Sequence, residues 1–566
     1  MKAIWNKFNA LPAWALAGIV AFAVMALTLL LFGSQYQTND DYAMNLIAAG
    51  AYGQPDAMLV FSNIMLGEAL AWLYGALPSI NWYAWLHLAL LFVSSTILVY
   101  FILDTVPKRL RLLAAVLFLG AGTVPAAMQL QFTLQAYFLA AAGFACFAYA
   151  FFSPNARDKR GKRAALLVLA VLLCTLSVMV RDKAILTLAP FFVLAAGYLV
   201  YKKDRRPILW LLIACAACAG VLAADAAAYR GDGWQAYFEF NAARSELLDS
   251  PRLDYSDNAD VFSAVGWSET DYEVFYAWML ADEEKFTTQN LEYILEHGRW
   301  NPVTPGSLVT DFAASMDAVL KFYPFCILLL CLGLCLKTRR DKLLPLLITA
   351  AVLAAHAAFV VMQRAPVRTV FPHYVLGILF LLLLVDYGAF RLVLRPRRGA
   401  ARDAQGDRNA ACTALLAVFA AVVLMMTCAI RETTYNWNGS AYAYYRELDD
   451  YIAQNPDKLF LSSVIAGGDR FRAYSVFEAP RTGALRNFSL LGGWYTKSPR
   501  YYEFMAAHGI GNMFLSLVRT EGVYLIDRGE PELIQEYLAE SYGIQTEAIE
   551  VEDFDDCAVY RLVRKS

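Results

Sequence analysis

LPAWALAGIVAFAVMALTLLLF, Leu11 to Phe32, is 22 residues long and carries no charged side chain. As a helix rising 1.5 Å per residue it is about 33 Å long, enough to cross a hydrocarbon core of ~30 Å. It exceeds a signal-peptide core, and no small-x-small cleavage site follows it, so it reads as a retained anchor. The same pattern recurs down the chain. Runs of similar character are Trp82–Leu103, Leu112–Met128, Leu134–Phe152, Ala164–Val180, Ala184–Tyr201, Ile208–Ala228, Ala318–Leu336, Leu343–Met362, Tyr374–Leu394 and Ala414–Ile430. The chain is 59% hydrophobic and 17% charged over 566 residues, against about 45–50% and about 25% in soluble domains. The fold expected is a polytopic α-helical membrane protein with about eleven transmembrane helices.

Basic residues orient these helices. Lys2 and Lys7 precede the first run, and Lys108, Arg109 and Arg111 follow the second. Arg157–Arg163 follow the fourth, Lys202–Arg206 the sixth, Lys337–Lys342 the eighth and Arg395–Arg408 the tenth. Every second loop is basic, which by the positive-inside rule places the N-terminus in the cytoplasm and the C-terminus outside. The expected organisation is a membrane domain over residues 1–430 and a soluble α/β domain over 431–566. The first loop, 33–81, and a long acidic loop, 229–317, lie outside with it. A net charge of -2 points away from nucleic acid. The ten cysteines form no disulfide framework; nearly all lie in or beside apolar runs and read as packing residues. Outer regions without disulfides suit a bacterial host.

The soluble parts carry local signals. Asn39-Asp40-Asp41-Tyr42 reads as a helix start with acids in its first turn. Ser62–Leu77 reads as a second, largely apolar helix along the membrane surface. In the long loop, Ser268-Glu269-Thr270-Asp271 is a capping-box pattern, and Thr288–His297 reads as a helix stopped by Gly298. Lys458–Ile465, Gly522–Ile526, Ile544–Val551 and Ala558–Leu562 read as strands. Tyr501–His508 and Pro531–Tyr542 read as helices.

Ionisable side chains concentrate at the outer ends of the apolar runs. Asp40 and Asp41 lie eight and nine residues beyond the first run. They are candidate catalytic carboxylates or, as a pair, ligands of a divalent cation such as Mg or Mn; the plainer reading of Asp40 is a helix cap. Arg181 and Lys183 occupy a tight outer turn, against the topological charge bias. Arg364 and Arg368 stand at the outer start of the tenth run. Guanidinium forks and an ammonium suit a phosphate; the alternatives are an ion pair with Asp182 or contact with lipid headgroups. His87 and His373, and the aromatic Trp494 and Tyr495, are candidate substrate contacts, with interfacial packing as the alternative.

This layout resembles the GT-C class of integral-membrane glycosyltransferases, which use polyprenyl-phosphate-linked sugars. Asn39-Asp40-Asp41-Tyr42 and the surface stretch Ser62–Leu77 carry the resemblance, which runs from the N-terminus to about Leu394. It implies transfer of a sugar, a hexosyl or pentosyl group, from a polyprenyl-phosphate donor to an extracytoplasmic glycan, lipid or protein of the cell envelope. Asp40 or Asp41 would be the base, and Arg181, Lys183, Arg364 and Arg368 would hold the lipid phosphate, with inversion at the anomeric carbon. The competing readings are a flippase for a lipid-linked glycan, a surface-polysaccharide polymerase or ligase, and a membrane scaffold. Ionisable side chains near the midplane, which transport favours, are scarce in the apolar runs.

Overall fold

A computed structural model of the protein describes residues 11–106, 108, 111–153, 156, 159–201, 203–300, 304–316, 320–337, 343–363, 365–384, 404–437, 442–529 and 531–565. Its first half contains α1 (Ala13–Phe32), α2 (Asn39–Ala49), α3 (Ile64–Ala76), α4 (Trp82–Thr105), α5 (Arg111–Ala121), α6 (Thr123–Met128), α7 (Phe132–Phe152), α8 (Arg160–Val180), α9 (Ala189–Tyr201) and α10 (Arg206–Ala228). Among the described residues, α1, α4, α7, α8 and α10 are long and apolar enough to cross a membrane. Only Pro207 of α10 is buried, so that helix turns its apolar surface outward, as a lipid-facing helix does.

Three expected spans differ in detail. Leu112–Met128 is not one helix but breaks at Gly122 into α5 and α6. A Cβ on Gly122 would stand 2.8 Å from Val375, so the break falls where two helices cross closely. Ala184–Tyr201 opens with a 3-10 turn, Ala184–Thr187, ahead of α9. The expected span Tyr374–Leu394 begins earlier, and beyond Leu384 it lies outside the described residues.

The chain beyond α10 continues with α11 (Asp232–Leu248), α12 (Ala259–Ala264), α13 (Glu269–Tyr276), α14 (Thr288–His297) and α15 (Pro305–Ala314). The capping box forms as the spacing predicts: Ser268 Oγ accepts from Asp271 N at 3.2 Å and Asp271 Oδ2 from Ser268 N at 2.8 Å. Four more apolar helices follow, α16 (Phe322–Lys337), α17 (Leu343–Val361), α18 (Val367–Leu384) and α19 (Ala404–Trp437).

The C-terminal part is mixed α/β. Strands β3 (Leu459–Ser462), β4 (Phe488–Leu490), β5 (Val523–Asp527), β6 (Thr546–Phe554) and β7 (Cys557–Arg564) make one sheet in the order β4-β3-β5-β7-β6. The remaining strands, β1 (Gln35–Tyr36) and β2 (Gln129–Leu130), belong to the membrane half. In the C-terminal sheet β4, β3 and β5 run parallel, and β6 and β7 form an antiparallel hairpin at one edge. Edge strand β6 carries exposed Glu547, Glu550, Glu552 and Asp553, charges that discourage pairing with another chain.

This sheet does not own its core alone. Leu247, Phe262, Phe275 and Leu291 of the long loop share one buried cluster with Leu461, Phe514, Leu525 and Tyr537. Backbone bonds join the two parts, Ala281 N to Leu491 O and Gly493 N to Trp278 O, each 2.9 Å. The C-terminal part also sits on the first loop, where Gly483 N and Leu485 N donate to Gly50 O and Ala51 O, each at 2.8 Å. The first loop, the long loop and the C-terminal part thus pack against one another. Gly492 is where the fit is tightest: a Cβ there would stand 1.8 Å from Trp278 O. Gly492→Ala is expected to destabilise the protein by about 1–3 kcal/mol, the usual cost of overpacking. A lower unfolding midpoint in detergent would register it, and an unchanged midpoint would show that this contact is loose.

Candidate functional site

The residues after α1 are held in place by backbone pairing before any side chain acts. Gln35 and Tyr36 run parallel to Gln129 and Leu130, and Gln37 N donates to Leu130 O at 3.0 Å. This two-rung ladder sets α2 beside the start of α7. Asp41 then locks it. Its Oδ1 accepts from Phe132 N at 2.9 Å and from the Tyr83 hydroxyl at 3.0 Å, and its Oδ2 from Thr38 Oγ1 at 3.1 Å. Asp41 is fully buried and turned into the protein.

Asp40, one residue earlier, is rotated by about 100° around the helix and lines a cavity of about 1280 Å3. The same cavity is lined by Arg181, Lys183, Arg368, Trp494 and Tyr495. Arg181 follows α8, and its position is set by the first loop: Asn63 N donates to Met179 O at 2.8 Å and Ser62 Oγ to Val180 O at 3.1 Å. Its guanidinium lies over the rings of Phe61 and Phe132, 5.0 and 5.4 Å from their centroids. Phe61 in turn packs on Trp494 at 4.5 Å. Arg368 comes from the first turn of α18. Burial pushes the Asp40 carboxyl above its ordinary range, and the nearby guanidiniums of Arg368, Arg181 and Arg244 pull the other way.

Other candidates lie elsewhere. His87 is buried behind the site, its ring 4.4 Å from that of Tyr83, and does not line the cavity. His373 is packed inside α18 with Nδ1 3.0 Å from Thr369 O, and it too is away from the cavity. Arg364 lies outside the described residues. A cation bridging Asp40 and Asp41 does not fit: both Asp41 oxygens already accept hydrogen bonds from within the protein. Among the described residues no group of three or more His, Cys, Asp or Glu gathers as a metal site.

Sequence reasoning missed several lining residues, among them Arg244, Trp278, Arg470 and Arg500. Arg244 had a signal: it is a rare cation in an acidic loop. Arg500 is spoken for by Asp56 at 2.7 Å and Glu503 at 2.6 Å. Buried Arg470 pairs with Asp449 at 2.6 Å. These pairs brace the C-terminal wall of the cavity.

No protein-family model and no curated protein matches the sequence. Among solved structures the chain is similar to ArnT from Cupriavidus metallidurans in the apo state, at 10% identity and a TM-score of 0.42 over 96% of this chain and 97% of that one. The same protein bound to undecaprenyl phosphate gives 12% and 0.39 over 96% and 97%. The Archaeoglobus fulgidus oligosaccharyltransferase in the apo form gives 13% and 0.46 over 95% of this chain and 72% of that one. Likenesses at these values assign no family, so the function has to be read from the side chains of the cavity.

Burial pushes the Asp41 carboxyl up to about 7, against the pull of its hydrogen bonds to Phe132, Tyr83 and Thr38. An acid with a raised folded pKa holds its proton more tightly when folded than when unfolded. Its stabilising contribution is therefore complete below about pH 4 and is lost as pH rises through about 7. The native protein should lose on the order of 2–4 kcal/mol from this group between pH 5 and pH 8, and Asp41→Asn should lack that slope. Parallel stability curves for the two proteins would contradict the assignment.

Proposed function

We propose that this protein is a membrane glycosyltransferase of the GT-C class that moves a sugar from a polyprenyl phosphate to an acceptor hydroxyl. One observation carries the reading: a half-buried carboxylate, Asp40, lines a large cavity together with Arg181, Lys183 and Arg368. Arg181 and Arg368 stand at the ends of apolar helices, where the headgroup of a membrane-embedded lipid would lie.

In the proposed reaction Asp40 takes the proton of the acceptor hydroxyl. The oxygen forms its bond to the anomeric carbon as the bond from that carbon to the phosphate oxygen breaks. The electron pair leaves with the lipid phosphate, whose charge Arg181, Lys183 and Arg368 stabilise. Attack opposite the phosphate inverts the anomeric centre. Phosphate is already a good leaving group, so no general acid is required. Trp494, seated on Phe61 beside Arg181, offers an aromatic face to a sugar ring, with Tyr495 next to it. The lipid tail would run against the apolar helices.

The same reading puts the C-terminal region outside the cytoplasm of a bacterial cell and makes the acceptor a component of the cell envelope. A polymerase or ligase of surface glycan would use the same leaving group and differ in product length. A flippase would move the lipid-linked sugar across sealed vesicles without consuming it.

Asp40→Asn is expected to reduce transfer from a polyprenyl-phosphate sugar by about 10²–10⁴-fold, the usual worth of a general base. The native enzyme should lose activity as pH falls and Asp40 takes up a proton, and the residual activity of the variant should lack that acidic limb. Assaying transfer of radiolabelled sugar across a pH series tests both. A fully active, correctly folded Asp40→Asn would remove the base from the scheme.

A further inference from the structure

Trp278 lies in the long loop beyond α13, and its backbone has a φ of +63°. That region suits glycine or asparagine; a bulky side chain occupies it only when its surroundings insist. Here they do. The Trp278 carbonyl accepts from Gly493 N at 2.9 Å, and the adjacent Gly492 leaves no room for a side chain against it. Three residues further on, Ala281 N donates to Leu491 O. The C-terminal part therefore grips this loop by its main chain and fixes where the indole points.

Trp278 lines the cavity, and Arg244 lies over its ring with the guanidinium carbon 4.9 Å from the centroid. Arg244 projects from α11, is only 4% exposed, and also donates to Asn241 Oδ1. It is one of the three guanidiniums whose field reaches Asp40. Arg181 and Arg368 reach the cavity from the apolar helices, whereas Arg244 reaches it from the extramembrane body. A guanidinium lying over an indole face can still donate from its edge N–H groups, the chemistry that binds a phosphate.

We propose that Arg244 is an anion-binding residue of the cavity and that Trp278 is the positioning residue that holds it there. Its ligand is a phosphate group, that of a polyprenyl phosphate, which deepens and rests on the reading of the cavity as a donor site. The C-terminal part thus contributes to the site through the Trp278 main chain.

Calorimetric titration of the full-length protein in detergent with farnesyl phosphate, a short polyprenyl phosphate, tests this. Arg181→Gln and Arg244→Gln should each weaken binding by roughly ten- to a hundred-fold, the worth of a charge-assisted hydrogen bond. Trp278→Ala should weaken it by roughly five-fold, and Trp278→Phe should stay within about two-fold of native. The double variant Arg244→Gln with Trp278→Ala should bind no more weakly than Arg244→Gln alone, because Trp278 acts through Arg244. Additive losses would overturn the positioning role. Native binding by Arg244→Gln alongside weak binding by Arg181→Gln would overturn this inference and leave the donor reading standing. Native binding by both would remove the donor reading as well.

Discussion

The Asp41 carboxylate is the constraint on which the site depends. Its three donors come from three places: Phe132 N–H at the start of α7, the Tyr83 hydroxyl on α4, and Thr38 at the start of α2. A buried carboxylate without such partners is strongly unfavourable, and removing one partner of a buried charge is more costly than the bond itself is worth. α2 therefore has one seating. Once it is seated, the helical step from Asp41 to Asp40 decides that Asp40 faces the cavity. A neighbouring polar network supports the same arrangement: the Tyr74 hydroxyl lies 2.5 Å from Asn45 Oδ1 and 2.9 Å from Asn81 Oδ1, with one proton to give to either, and Asn81 Nδ2 donates to Glu478 O at 2.9 Å. That last bond links the first loop to the C-terminal part.

The membrane half is legible in the sequence because its physics is one-dimensional. Hydrocarbon thickness sets the length of an apolar run, and the cost of moving cations outward sets which loops are basic. Local hydrogen bonding makes the Ser268–Asp271 cap and the helix Thr288–His297 readable too. Strand β4 leaves no such trace: three residues, Phe488–Leu490, between turn-rich segments offer no alternation to detect. The break at Gly122 is equally hidden, because it answers to Val375, far along the chain.

The candidate site is readable in part for the same reason. Arg181, Lys183 and Arg368 stand out as cations on the wrong side of the charge pattern, and they line the cavity with Asp40. Two adjacent aspartates look alike in a sequence, and only the partners of Asp41 distinguish them. Trp278 needs the tertiary fold, since the grip on it comes from Gly492 and Gly493, remote in sequence. The expected boundary at residue 431 likewise hides that the long loop and the C-terminal sheet close one core.

The charge arrangement around Asp40 bears on when it can act. Burial alone favours the protonated acid, and the guanidiniums of Arg368, Arg181 and Arg244 favour the carboxylate. In the proposed reaction those same cations are the ones that meet the lipid phosphate. A bound phosphate shares their field and adds its own negative charge nearby, and both effects raise the proton affinity of Asp40. The base would then be strongest when the donor is in place, and weaker in the empty cavity, where the field of the cations acts on Asp40 alone. A carboxylate among arginines, which by itself resembles a structural ion-pair cluster, would in that reaction couple deprotonation of the acceptor to the presence of the leaving group.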